Sequence, residues 1–176
     1  WKGYAQVYKG WILARKGRGS EAVEVAERGM AGLSSTRTAL DHPLAACCLA
    51  EAYGGDGRHD DVIGALDDAI ASAERTDERW FEAEIHRLRA QWILTHGGDE
   101  AEAEAERLFH KSIGTARRQG ARLWELRAAT DLARLWGRQG ERSRAFDLLA
   151  PLHGWFTEGL GTPDLTDAEA LLRDLA

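Results

Sequence analysis

The chain has 176 residues, 44% of them hydrophobic, with 19 Gly but only 3 Pro, a length and balance that can build a substantial core and that favour helix over sheet. Its net charge of −6 argues against a general nucleic-acid binder, which needs a basic face. No apolar run approaches the roughly 18–20 residues that span a bilayer, and the neighbouring pair Cys47–Cys48 has no third cysteine to bridge to, so both are read as reduced, buried apolar residues of a cytoplasmic protein.

The charge is unevenly spread. Residues 1–40 carry +4, 41–110 carry −11, 111–150 carry +5 and 151–176 carry −4, an alternation that solvated helix faces commonly produce. The first residue is Trp1 and the one methionine is Met30, which is the pattern expected of a segment taken from a longer protein.

In chain order, a helix over Tyr4–Lys16 is followed by the turn Gly17–Ser20, with Ser20 the expected N-cap, and by a helix over Glu21–Leu33. Pro43–Tyr53 and Asp60–Ala73 flank the breaker Gly54–Arg58. The stretch Arg79–Gly98 reads as one long helix ended by a glycine pair, and Asp99 with Glu102 has capping-box spacing at the start of the next. Arg122–Arg138, a turn at Gln139–Gly140 and a helix from Glu141 follow, with Pro151 expected to bend or end the last. Thr166 and Glu169 form a second capping-box pair opening Asp167–Leu175, whose Leu171, Leu172 and Leu175 close the end of the stack.

These helices repeat as hairpins. A small residue recurs in each first helix at Gly10, Ala50, Ala90 and Ala133, spaced 40, 40 and 43. Each second helix has Ala22, Val62, Ala105 and Ala145, and four residues later Ala26, Leu66, Phe109 and Leu149, both series spaced 40, 43 and 40. One three-residue insertion near Gly97–Glu100 shifts all three series consistently. The expectation is therefore an all-α, right-handed α-α superhelix of about four hairpins (1–36, 40–75, 77–119 and 121–157) with a capping helix at 164–176, forming a single domain.

The small-apolar slot pattern resembles the tetratricopeptide repeat (TPR), with a period nearer 40 than that family's 34. The strings RWFEAEIHRLRAQWIL, AEAERLFHKSIGTARRQGARLWELRAATDLARLW and LLAPLHGWFTEGLGTPDL resemble, more narrowly, the C-terminal repeat region of bacterial multidomain predicted ATPases, adenylate or guanylate cyclases and ATP-dependent transcriptional regulators. The resemblance implies a non-catalytic interaction or regulatory module of a signalling protein. Its partner would be a protein or peptide, including the parent's own upstream ATP-binding domain, without nucleic acid or membrane. Self-association is compatible with such a module. It further implies that the first helix of each hairpin lines a concave groove, through Val7, Trp11, Cys47, Glu51, Arg87, Gln91, Thr130 and Arg134, with Glu84 and Arg127 one turn earlier on the same face. Three arginines on one groove can clamp carboxylates or phosphates, so a sensor of a small anionic effector is the alternative. Pairing of Arg87 and Arg134 with Glu51 and Glu84 is the structural explanation of the same residues.

No catalytic group or cofactor site is expected. The glycine-containing segments Gly17–Glu21 and Gly54–Arg58 lack the lysine and preceding strand of a phosphate loop and read as hairpin turns. Glu82 and His86 share a helix face as two metal ligands can, but without a third they read as an exposed pair. His59, Asp60 and Asp61 suit a helix start. His42 near Cys47 reads as a helix-start histidine beside a buried thiol. Trp11, Trp80, Trp92, Trp124, Trp136 and Trp155 are expected between repeats in the core, where one or two exposed would instead mark a partner surface.

Overall fold

The computed structural model describes residues 1–35 and 41–176, and the expected hairpin limits at 36 and 40 lie outside them. Among the described residues the chain forms helices and no strand. They are α1 (Lys2–Arg15), α2 (Gly19–Ser35), α3 (His42–Gly55), α4 (His59–Thr76), α5 (Glu82–His96), α6 (Ala101–Gln119), α7 (Arg122–Arg138), α8 (Arg142–His153) and α9 (Pro163–Leu175). They divide into two compact units, Trp1–Ile85 and His86–Ala176.

The repeat register is the strongest link between sequence and packing. All twelve slot residues, from Gly10 to Leu149, are buried. In the first unit α1 and α2 lie so close that a Cβ on Gly10 would stand 2.7 Å from both the Ala22 carbonyl oxygen and the Ala26 Cβ. Any side chain there forces the backbones apart. The turns obey the same register: Gly17, Gly57 and Gly140 all have positive φ, a conformation that only glycine adopts freely.

Helix α3 then packs against both α1 and α2. Its Ala52 joins the small core of Leu13, Ala22, Val23, Val25 and Ala26. In the second unit, α9 packs against both α7 and α8, the same relation that α3 has to the first hairpin. Its Leu165, Ala168 and Leu175 enter the core around Phe109, Leu126, Leu132 and Leu149, and Leu171 and Leu172 pack against it.

Each unit also has a polar clasp of the same kind, built from a glutamate, an aromatic ring and an arginine. Glu27 accepts hydrogen bonds from the Tyr53 hydroxyl and from Arg58, each at 3.1 Å, and the Arg58 guanidinium lies 4.4 Å from the Tyr53 ring centroid. Glu106 accepts from the Trp136 indole N–H at 3.0 Å and from Arg144 at 3.2 Å, with that guanidinium 3.7 Å from the Trp136 centroid. In both, a carboxylate on one hairpin's second helix is held by the next hairpin's first-helix aromatic and by an arginine that stacks on it.

Several expected helix ends differ, two of them because a capping residue serves a distant partner instead. Helix α2 starts at Gly19, so Ser20 lies inside its first turn and donates to Asp56 at 2.7 Å instead of capping. Glu100, with no side-chain capping bond, is the N-cap of α6, while Glu102 accepts from Gln139 at 2.8 Å. Helix α9 starts four residues early because Pro163 suits a first-turn position that needs no N–H. Thr166 there bonds back to the Thr162 and Pro163 carbonyls, and Glu169 pairs with Arg173. Helix α8 runs two residues past Pro151. The long stretch opens late, at Glu82, because Asp77 turns left-handed at the end of α4 and Arg79 is engaged by Asp77 and Glu82.

Of the tryptophans, Trp136 is buried, while Trp80 and Trp155 are 42% and 57% exposed and do not fill a core. Trp1 is fully exposed. Both cysteines are buried, and burial pushes the Cys48 thiol up to about 12 and that of Cys47 well above its ordinary value.

Two measurements check this packing. Gly10→Ala should destabilise by about 1–3 kcal/mol through overpacking, whereas Gly64→Ala, on an exposed stretch of α4 with nothing near the new methyl, should stabilise by about 0.5–1 kcal/mol; urea unfolding of the two variants reads both signs. Burial first, and then the hydrogen bond to Glu27, raise the Tyr53 pKa to about 12 from 10.0. The clasp's contribution to stability is therefore complete below pH 10 and lost as the pH rises towards 12. Burial raises Tyr4 and Tyr8 as well, so a spectrophotometric titration should show late tyrosinate formation whose amplitude Tyr53→Phe reduces by one residue of the three.

Candidate functional site

The ten residues singled out for the groove face divide between the units. In residues 1–85, Trp11 is half-buried against Val7, Leu33, Ala45 and Cys48, with the Arg15 guanidinium 5.3 Å from its ring centroid. Arg15 also approaches Glu51 at 3.8 Å, an exposed pairing of little energetic weight. Glu84 is buried, as are Val7 and Cys47.

In residues 86–176 the first helices carry a connected polar ladder. Asp131 of α7 accepts from Arg87 at 2.8 Å and from Gln91 at 2.9 Å, both on α5, and from Arg134 of its own helix at 3.2 Å. Arg134 continues to Asp167 of α9. Two turns earlier on α7, Arg127 makes a two-pronged contact with Asp164 of α9 at 2.8 and 2.9 Å. The side chains of Arg87 and Asp131 are 13% and 12% exposed, so this pair is shielded from water. Arg134 and Asp167 stand at the wetter end.

The spacing explains the ladder. Arg87 and Gln91 are four apart and Arg127 and Arg134 seven apart, so each pair shares a helix face. Thr130 does not join them: it is buried and its hydroxyl donates to the Leu126 carbonyl at 2.8 Å. The residue on the face is its neighbour, Asp131, a rotation of about 100°. Asp131, Asp164 and Asp167 were missed in the sequence reading, although an acid three residues before Arg134 is a visible pairing signal.

A second buried acid is also resolved. Glu125 is only 1% exposed and is held by Arg117 and by Arg122, the latter at 2.8 Å. Glu82 and His86 do not form the exposed pair that was expected, because His86 is buried. Among the described residues no group of three or more His, Cys, Asp or Glu side chains could hold an ion, and no helix is long and apolar enough to cross a membrane. His42 approaches Asp68 at 3.9 Å, and Asp61 pairs with Arg58 at 2.6 Å.

Asp131→Ala removes the common acceptor of three donors in a shielded site. It should lower stability by about 2–3 kcal/mol without changing the far-ultraviolet helical signature, as chemical unfolding followed by circular dichroism will show.

No protein-family model and no curated protein matches this chain. Solved structures do. The chain is similar to TPR-like repeats of Podosopora anserina described as those of a kinesin light chain with nearly identical repeats, at TM-score 0.71, 19% identity, 98% of this chain and 84% of that one. A second structure of those repeats, a single-substitution variant, gives TM-score 0.72 at the same identity and coverage. At this identity the likeness concerns the fold: the chain has the all-α fold of TPR-like helical-repeat proteins.

Proposed function

We propose that this chain is a non-catalytic, helical-repeat interaction module that serves a larger bacterial signalling protein, of the predicted ATPase, nucleotide cyclase or ATP-dependent transcriptional regulator kind that its strings resemble. The observation that carries the reading is the ladder on α5, α7 and α9. Five side chains (Arg87, Gln91, Asp131, Arg134 and Asp167) are locked by mutual hydrogen bonds into one geometry, with Arg127 and Asp164 beside them. A surface held rigid in advance loses little conformational freedom on binding. Arg134 and Asp167, the more exposed members, meet the partner; Arg87, Gln91 and Asp131 position them. In residues 1–85, Trp11 and Glu51 occupy the corresponding first-helix positions.

The partner is a protein or peptide, with the parent's ATP-binding domain the first to test, in the cytoplasm where the adjacent thiols stay reduced. A small anionic effector fits less well, because it would have to displace a resident carboxylate from arginines already serving Asp131, Asp164 and Asp167.

Calorimetric titration of the chain against the ATP-binding segment encoded in the same reading frame tests the proposal. Binding should weaken about tenfold in Arg134→Gln, the loss of one peripheral contact of about 1.4 kcal/mol, with the helical spectrum intact. Binding indifferent to Arg134→Gln, or none, would remove the ladder as the docking face.

A further inference from the structure

A different surface of the second unit has the makings of a binding hot spot, independent of the ladder. Helix α8 ends at His153, and the backbone turns tightly, with Gly154 N–H on Ala150 and Phe156 N–H on His153. Phe156 packs on the core, and Trp155 stands edge-on to it, centroids 5.1 Å apart at 85°. The indole is thereby held in place yet remains 57% exposed. Arg122, at the start of α7, lies with its guanidinium 5.6 Å from the Trp155 centroid, and its neighbour Leu123 is also exposed.

The electrostatics point one way. Arg117 and Arg122, 55% and 46% exposed, both pair with the single carboxylate of Glu125, which is buried. One carboxylate neutralises one of the two charges. Each guanidinium has five N–H donors, so donor capacity and a net positive charge remain at the surface beside a rigid aromatic ring. Tryptophan and arginine are both among the residue types enriched where protein partners dock. The exposed indole asks for an apolar side chain and the surplus cation for a carboxylate next to it.

We propose that Trp155, Arg122 and Arg117 form a docking site for an acidic segment of a partner protein, one in which Asp or Glu flanks an aliphatic or aromatic side chain. The carboxylate meets Arg117 and Arg122 at the rim, and the apolar side chain lies on the Trp155 ring.

The test uses the whole chain and a short blocked peptide of Glu, Leu and Ser, alongside its counterpart with Lys in place of Glu. Calorimetry should show binding of the Glu peptide only, weakened by added salt and at least about tenfold weaker in Trp155→Ala, a change of about 1.4 kcal/mol. Arg122→Gln should weaken it similarly, and Trp155→Ala, which leaves the Glu125 pairing untouched, carries the test if Arg122→Gln fails to fold. Arg134→Gln should leave it unchanged, which separates this site from the ladder. Equal binding of the two peptides, binding by neither, or binding that survives Trp155→Ala overturns the proposal. Self-association abolished by Trp155→Ala in sedimentation, or adsorption to phosphatidylserine vesicles without peptide binding, overturns it by giving the surface another occupant.

Discussion

Two helices of a hairpin can approach only as closely as the side chains between them allow, and in this chain that limit recurs at a fixed place. Where α1 meets α2 the allowed side chain is none at all, since a methyl on Gly10 would strike both a carbonyl oxygen and another methyl. In the later first helices the same slot takes alanine at Ala50, Ala90 and Ala133, each buried. Close packing keeps the apolar slots of the second helix, among them Leu66, Phe109 and Leu149, in register with it. The remaining features of each unit are built on that spacing.

Once the first helices are placed, their polar residues must find partners, because a shielded charge without one is costly. The arginines that sequence pattern nominates for ligand capture are therefore already engaged. Arg87 and Gln91 are drawn to Asp131, and Arg127 and Arg134 to α9. The result is a stiff polar face rather than a set of waiting cations. The surplus positive charge appears elsewhere, where two arginines share Glu125 beside an exposed indole.

The clasps show the same economy in a different form. Glu27 with Tyr53 and Arg58, and Glu106 with Trp136 and Arg144, make one arrangement from residues that only partly align in the repeat. The aromatic positions do correspond, 83 residues apart, but the glutamates and arginines are displaced along their helices. Long side chains tolerate such displacement. A backbone contact at Gly10 does not, and this is why slot residues are visible as a period while clasp residues are not.

That difference separates what the sequence by itself determined from what only the tertiary structure decided. Helix content, the hairpin register with its three-residue insertion, and the buried identity of all twelve slots were legible, because each reflects a local steric demand repeated along one chain. Helix ends were less so. Ser20, Glu102 and Glu169 have capping residue types, yet their side chains serve Asp56, Gln139 and Arg173 instead. Thr130 was placed one residue away from the true face residue, Asp131. Six tryptophans of equal apolar weight were expected in the core, but Trp80 and Trp155 remain exposed. Ion partners, several caps and aromatic exposure depend on which side chain arrives from some 30–44 residues away, and that is decided only when the helices pack.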